Sequence, residues 1–271
     1  MVKAKKSLGQ NWLKSESAVR EIIKAADLRE GELVLEIGPG RGILTKALLA
    51  TDARVLAVEK DDRLIDLLKE KFAIEIKTKK LILIHDDILK IDFSKCLHAY
   101  KLNSYKLVAN IPYYITGRII RKFLSEEKIQ PNRMVLMVQK EVARRIMARD
   151  KKESLLSLSV KVYGALKYIK TVPAGAFEPK PKVDSAILLI ENISRDFFAD
   201  ISEQKFFALL KKGFGQKRKL LKSNLGVGEE VLPACHIPAK ARAENLTLEN
   251  WKCLVKTYRQ IKTKPFAYGS R

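Results

Sequence analysis

Leu33-Val34-Leu35-Glu36-Ile37-Gly38-Pro39-Gly40-Arg41-Gly42 is a short apolar run, broken by one acid and closed by three glycines. A run of this length without polar alternation predicts a strand buried on both faces. Ile43, Leu44, Ala47 and Leu48 then share one face of a helix. Between strand and helix, the glycines let the backbone turn sharply and approach a ligand at the positive end of the helix. A plain tight turn explains the glycines nearly as well. Their spacing differs from the dinucleotide GxGxxG, and the Gly-Lys-Ser/Thr of a P-loop is absent.

The same alternation continues outward. Residues 55–58, 81–84, 107–109, 134–138 and 185–190 are further apolar runs of strand length. Residues 63–72, 141–148 and 155–164 carry helical spacing. Strands alternating with helices predict an α/β fold: a mostly parallel, Rossmann-like sheet with helices on both faces. Ligands in such sheets bind beyond the carboxyl ends of the strands. Composition shifts over residues 191–200, and helical patterns follow at 203–213, 216–225 and 248–261. The chain therefore divides into an α/β domain, 1–192, and a small helical domain, 193–271.

Over 271 residues, 53 Lys and Arg oppose 31 Asp and Glu, a formal charge of +22. With 46% apolar residues the chain can fill a core, so a disordered basic tail is excluded. The charge favours a polyanion, nucleic acid before an anionic membrane. No apolar run reaches the roughly 18 residues of a spanning helix. The lysines of residues 1–14 precede no apolar core, so they do not form a secretory signal. Cys96, Cys235 and Cys253 are odd in number, widely spaced and free of any CxxC pattern, which predicts unpaired thiols in a reducing compartment, the cytoplasm. His85, His98 and His236 form no ligand pattern, and no metal is expected.

Three strand ends carry chemistry. Glu59 follows the second run and can accept hydrogen bonds from two ribose hydroxyls; alternatively it is a solvated acid beside Lys60. Asp86 and Asp87 follow the third, where one carboxylate could meet an adenine amine. With the glycine turn they make a nucleoside-binding constellation. The fourth run ends in Asn110-Ile111-Pro112-Tyr113. The asparagine side-chain oxygen is an acceptor. The residue before proline is held extended, which aims the Ile111 carbonyl, and Tyr113 offers a flat face. Two acceptors and an aromatic face suit a planar base with an exocyclic amine. The plainer reading is a capped turn with a core tyrosine.

Asn-Ile-Pro-Tyr after a Glu-x-Gly-x-Gly strand resembles the adenine-N6 methyltransferases that use S-adenosyl-L-methionine. Lys6-Ser7-Leu8-Gly9-Gln10-Asn11-Trp12-Leu13 is similar to the amino-terminal cofactor motif of the ribosomal RNA adenine dimethyltransferases. Phe177-Glu178-Pro179-Lys180-Pro181-Lys182-Val183-Asp184-Ser185 resembles the late motif of that family. Phe214-Gly215-Gln216-Lys217-Arg218-Lys219 and Ala241-Arg242-Ala243-Glu244-Asn245-Leu246-Thr247-Leu248-Glu249 resemble the helical domain of its small-subunit, KsgA-type branch. Nearly the whole chain is covered, with the motifs in order. Trp12 stands where the family usually has Phe. Glu153-Ser154-Leu155 replaces a Tyr-Gly-Leu-like stretch, and Leu220 a common Thr. The last two departures bear on RNA contacts more than on methyl transfer.

The resemblance implies a class I methyltransferase fold and dimethylation of two adjacent adenosines in the 3′-terminal hairpin of small-subunit (16S) rRNA, by a monomer. It implies that Asn11 and Leu13 close over the cofactor, Gly38 admits it, Glu59 holds its ribose, Asp87 meets its adenine, and Asn110 borders cofactor and substrate. Catalysis falls to Asn110, Ile111, Pro112 and Tyr113. Tyr113 and Phe177 are the stacking candidates, Phe177 because Gly175 and the flanking prolines suggest a loop rather than core. Arg144 and Arg145 on one helix face, Lys180 and Lys182 beside the pocket, and Lys217, Arg218, Lys219 and Lys222 in an acid-free stretch are the candidate phosphate contacts. The rival readings are an Erm-type enzyme acting on large-subunit RNA, and a non-catalytic assembly or transcription factor on the same fold.

Overall fold

Leu33–Ile37 is buried at all five positions and forms strand β1. Arg54–Glu59 (β2), Leu81–His85 (β3), Lys106–Asn110 (β4), Arg133–Gln139 (β5), Ala165–Val172 (β6) and Ser185–Glu191 (β7) complete the sheet. The computed structural model describes residues 2–100, 104–150, 152–228 and 230–257. The seven strands lie in the order β3-β2-β1-β4-β5-β7-β6. β1 pairs in parallel with β2 and β4, β2 with β3, and β4 with β5. β7 is antiparallel to both β5 and β6. Leu35, Leu56 and Leu136 at the sheet centre are fully buried, each stabilising the fold by about 2 kcal/mol. Parallel strands put the ends of β1, β2, β3 and β4 at one edge, where the functional motifs are.

Strand β6 is absent from the sequence reading. It is one of the two edge strands, and Lys167, Tyr168, Lys170 and Thr171 leave it half exposed, so it lacks the continuous apolar run of the inner strands. Outside the main sheet, Trp12–Leu13 pairs antiparallel with Phe177–Glu178, placing Leu13 opposite Phe177.

The chain forms two compact units. One comprises Met1–Met147 and Tyr163–Ser194, the other Ala148–Val162 and everything from Arg195. This differs from a single cut near residue 193. The helix Leu155–Lys161 buries Leu158 and Val160 within the second unit. The Glu153 N–H donates to the Glu244 carbonyl there at 2.9 Å.

Two further expectations change. Residues 216–219 are a turn, and the helix begins only at Leu221–Leu225. Asn224 Nδ2 donates to the carbonyls of Gly213 (2.6 Å) and Gln216 (3.0 Å), which folds the basic segment back on itself. The cysteines are not all unpaired: Cys235 and Cys253 form a disulfide, and Cys96 alone is free. Their separation in sequence hid a contact made when the helix Leu248–Thr257 packs beside Val231–Ala234. The expected continuation of that helix to residue 261 lies outside the described residues. Among those residues, no helix is long and apolar enough to cross a membrane.

Candidate active site

The glycine turn, the ends of β2, β3 and β4, and the amino-terminal segment enclose an open cleft. It holds about 970 Å³ of non-protein space, including the solvent at its mouth. Gly38, Glu59, Asp87, Asn110 and Tyr113 all line it, so the strand-end residues expected to share a site face one cleft. Gly38 has φ +67°, and a Cβ built there would meet nothing within 4 Å. Only a residue without a side chain holds that backbone at no cost and keeps the space open for a ligand.

Glu59 is buried, and its carboxylate is held by three backbone donors. Oε2 accepts from Gly40 N at 3.1 Å; Oε1 accepts from Lys60 N at 2.8 Å and Asp61 N at 2.9 Å. Burial pushes its pKa up against the opposing pull of those N–H groups. The arrangement fixes the rotamer and leaves further lone-pair directions toward the cleft.

Asp87 is ion-paired. Its Oδ2 meets Lys60 Nζ at 2.9 Å, and Oδ1 accepts from Leu89 N at 3.0 Å. Burial raises its pKa, but the Lys60 ammonium and the Leu89 N–H prevail and the net shift is downward. Asp87 is thus an ionised acceptor with a lysine resting on it.

Asn110 is oriented by a long-range bond. Its Nδ2 donates to the Asn11 carbonyl at 3.1 Å, so Oδ1 is the atom left to accept. Ile111 is buried, and its N–H donates to the Met137 carbonyl at 3.3 Å, which fixes this peptide on β5. Pro112 has ψ 128°, and the chain then enters the short turn Tyr113–Ile115. The Tyr113 hydroxyl is 2.9 Å from Ser185 Oγ. That bond joins the Asn-Ile-Pro-Tyr motif to the end of the late motif. Burial raises the Tyr113 pKa.

The amino-terminal segment closes over the cleft through contacts that sequence reading missed. Gln10 Nε2 donates to Asp61 Oδ2 at 2.8 Å, while Arg63 Nη2 holds the same oxygen at 2.6 Å. The Asp61 carboxyl consequently lies far below the usual carboxylate range, Arg63 being the main cause. Trp12 lines the cleft beneath the Arg41 guanidinium, 4.0 Å from its ring centre. A Cβ on Gly40 would come within 2.8 Å of the Trp12 ring. The larger aromatic therefore depends on a glycine beneath it. Asp61 stands two residues before Arg63, and that spacing just past the end of β2 was the available signal in the sequence.

Two candidates fall elsewhere. Leu13 is buried in the core and does not line the cleft. Phe177 is only 2% exposed and packs in the same core. The loop-like setting of Phe177 misled, because pairing with Leu13 turns the segment inward. In this conformation no face of Phe177 is open for stacking.

Ribosomal RNA adenine dimethylases match residues 1–260 of the chain. The chain belongs to that family. A ribosomal RNA small subunit methyltransferase A from Dehalococcoides mccartyi (strain ATCC BAA-2100) is 44% identical over 265 residues, covering 95% of this chain and 89% of its own. The protein of that name from Nostoc sp. (strain PCC 7120) is 38% identical, covering 93% and 96%. A solved dimethyladenosine transferase from Plasmodium falciparum superposes with TM-score 0.75 at 27% identity, covering 89% and 95%. The 23S rRNA methyltransferase ErmE superposes with TM-score 0.74 at 24% identity, covering 92% and 100%, which establishes the shared fold. Within this dimethylase, Arg144, Arg145, Lys180 and Lys182 are exposed on the first unit, and Lys217, Arg218 and Lys219 on the second. Lys222 is half-buried in the second unit.

Proposed function

We propose that the protein transfers methyl groups from S-adenosylmethionine to the N6 amines of adenosines in small-subunit rRNA, acting as a monomer in the cytoplasm, where that RNA is assembled. The observation that carries this is the orientation of Asn110: its nitrogen is tied to the Asn11 carbonyl, so its oxygen is the acceptor presented beside the Ile111 peptide. The cleft chemistry fits the cofactor. Glu59 offers a fixed carboxylate to a ribose diol, Asp87 an ionised acceptor to the adenine amine, and Gly38 the space a side chain would fill. When bound, the cofactor supplies a methyl group already made electrophilic by its sulfonium.

The residues of the chain do the rest. An adenine amine is a poor nucleophile because its lone pair is shared with the ring. The Asn110 oxygen and the Ile111 carbonyl accept its two hydrogens, favour a pyramidal nitrogen and free the lone pair toward the methyl. Tyr113, braced on Ser185, supplies a face for the extruded base, whose flipping costs a few kcal/mol. Rate comes from alignment and electrostatics. The exposed cations offer contacts to RNA phosphates. Adding a second methyl, and the choice of two adjacent adenosines in the 3′-terminal hairpin, rest on family membership.

The small-subunit target follows the relatives at 44% and 38% identity, whereas the large-subunit enzyme shares the fold at 24%. The test is transfer of tritiated methyl to purified subunits lacking the modification, followed by reverse transcription across the 3′ region of the RNA. Label in the small subunit and new stops at adenosines are expected. Label in the large subunit, or none, overturns the assignment.

A further inference from the structure

Adjacent tyrosines at the cleft mouth differ sharply. Tyr113 is half-buried and its hydroxyl is engaged by Ser185. Tyr114 is 61% exposed, and its hydroxyl has no partner among the described residues, yet it also lines the cleft. Its ring is backed by Gly9: a Cβ built there would come within 3.0 Å of both Cδ1 and Cε1. A residue with a side chain at position 9 would dislodge the ring. One side of Tyr114 is thus supported by the amino-terminal segment while much of the ring faces solvent.

Arg118 follows one helical turn later, on Thr116–Arg121. Tyr114 lies in the turn Tyr113–Ile115 that leads into that helix, and both side chains stand close enough to Lys60 to act on its ammonium. Arg118 is exposed and lines the same cleft; its guanidinium makes no ion pair or hydrogen bond among the described residues, and the charge nearest in effect is the like charge of Lys60. An aromatic face and an unengaged guanidinium therefore stand together at the cleft mouth.

An adenosine drawn into the cleft leaves its neighbour in the strand with an uncovered face. That neighbour must cross the mouth of the cleft, and its phosphate travels with it. We infer that Tyr114 and Arg118 form a subsite for the nucleotide adjoining the target adenosine, the ring stacking on its base and the guanidinium pairing with its phosphate. Stacking of a base on an aromatic tolerates any sequence, and the cation adds a salt-dependent term. The subsite rests on the methyl-transfer reading above.

The test uses the full chain carrying Tyr114→Leu, Tyr114→Phe or Arg118→Gln, with rRNA fragments that carry an abasic residue on the 5′ or 3′ side of the target. Tyr114→Leu keeps apolar packing on Gly9 and loses the stack. Its KM for RNA should rise roughly tenfold, while its affinity for S-adenosylhomocysteine, read by calorimetry, stays within about twofold. Tyr114→Phe should behave like the parent. On one of the two abasic fragments the parent should lose a similar factor and Tyr114→Leu little more. Arg118→Gln should lower the salt slope of RNA binding by about one. Losses that simply multiply on both abasic fragments overturn the subsite, as does a loss of cofactor affinity in Tyr114→Leu matching its loss toward RNA. Failure of the unaltered protein to methylate any fragment instead overturns the methyl-transfer reading, and the subsite with it.

Discussion

Asn110→Ala tests the proposed chemistry at one atom. The substitution removes Oδ1, one of two acceptors for the target amine, and Nδ2, the group bonded to the Asn11 carbonyl at 3.1 Å. Loss of a single positioned hydrogen-bonding group aimed at developing charge costs about 10²–10³ in rate, or roughly 3–4 kcal/mol. The second loss is a neutral, part-buried hydrogen bond, worth about 1 kcal/mol and about 2–4 °C in Tm for a unit of this size. The two effects separate in the assays. Single-turnover transfer of tritiated methyl should fall at least 100-fold (about 10²). Binding of an rRNA fragment should be unchanged, because the exposed cations are untouched. Affinity for S-adenosylhomocysteine should drop only severalfold, through looser closure of the Asn11 segment. Transfer at the parental rate by a folded variant would refute the amine-acceptor role of Asn110.

Four further outcomes are expected. Glu36 is fully buried, and burial, reinforced by the charge of nearby Glu59, pushes its pKa up to about 8 from 4.5; the folded chain keeps a proton that the unfolded chain releases, so stability falls as pH rises between those values, and the Tm advantage of Glu36→Gln over the parent should grow across that window, a constant difference contradicting this. Lys60 shares Asp87 Oδ2 with any adenine amine and competes with it for the carboxylate's charge, so Lys60→Met should tighten S-adenosylhomocysteine binding by up to about fivefold, the worth of an exposed pair, and weaker binding by calorimetry would show Lys60 to be a direct ligand. Replacing Lys217, Arg218 and Lys219 together by Gln should reduce the salt slope of RNA binding by about two to three, and an unchanged slope would remove that turn from the RNA interface. Alkylation of the unfolded chain without reductant should add one label by mass spectrometry, at Cys96; three labels would show that Cys235 and Cys253 are not joined.

What could be read from the residues was whatever depends on local pattern. The inner strands are continuous apolar runs because both faces are covered, so β1, β2, β4 and β5 were legible, and with them the edge of the sheet where Gly38, Glu59, Asp87 and Asn110 converge. Strand β6 was not legible: an edge strand with one open face carries lysines and threonine like any loop. Phe177 was misplaced because its flanking glycine and prolines describe the backbone on either side, whereas its burial is decided by Leu13, far away in sequence. The roles of Gln10 and Asp61 were hidden for the same reason, since their bond joins residues separated by the whole first βαβ crossover. The Cys235–Cys253 bond likewise depends on how two helices pack. Local pattern specified the elements and the chemistry at their tips, and tertiary pairing decided which side chains remained available.

The interleaving of the two units bears on how the chain is made. Ala148–Val162 emerges during translation well before Arg195 and the residues after it, yet its apolar side chains are destined for the unit those residues complete. Until then Leu158 and Val160 have no finished core to enter, and the strands on either side, β5 and β6, can join one sheet only when β7, which follows both, comes between them. A pause in synthesis before the last helices have appeared would hold a greasy, unpaired segment in the open, where a nascent-chain chaperone or a neighbouring copy can seize it.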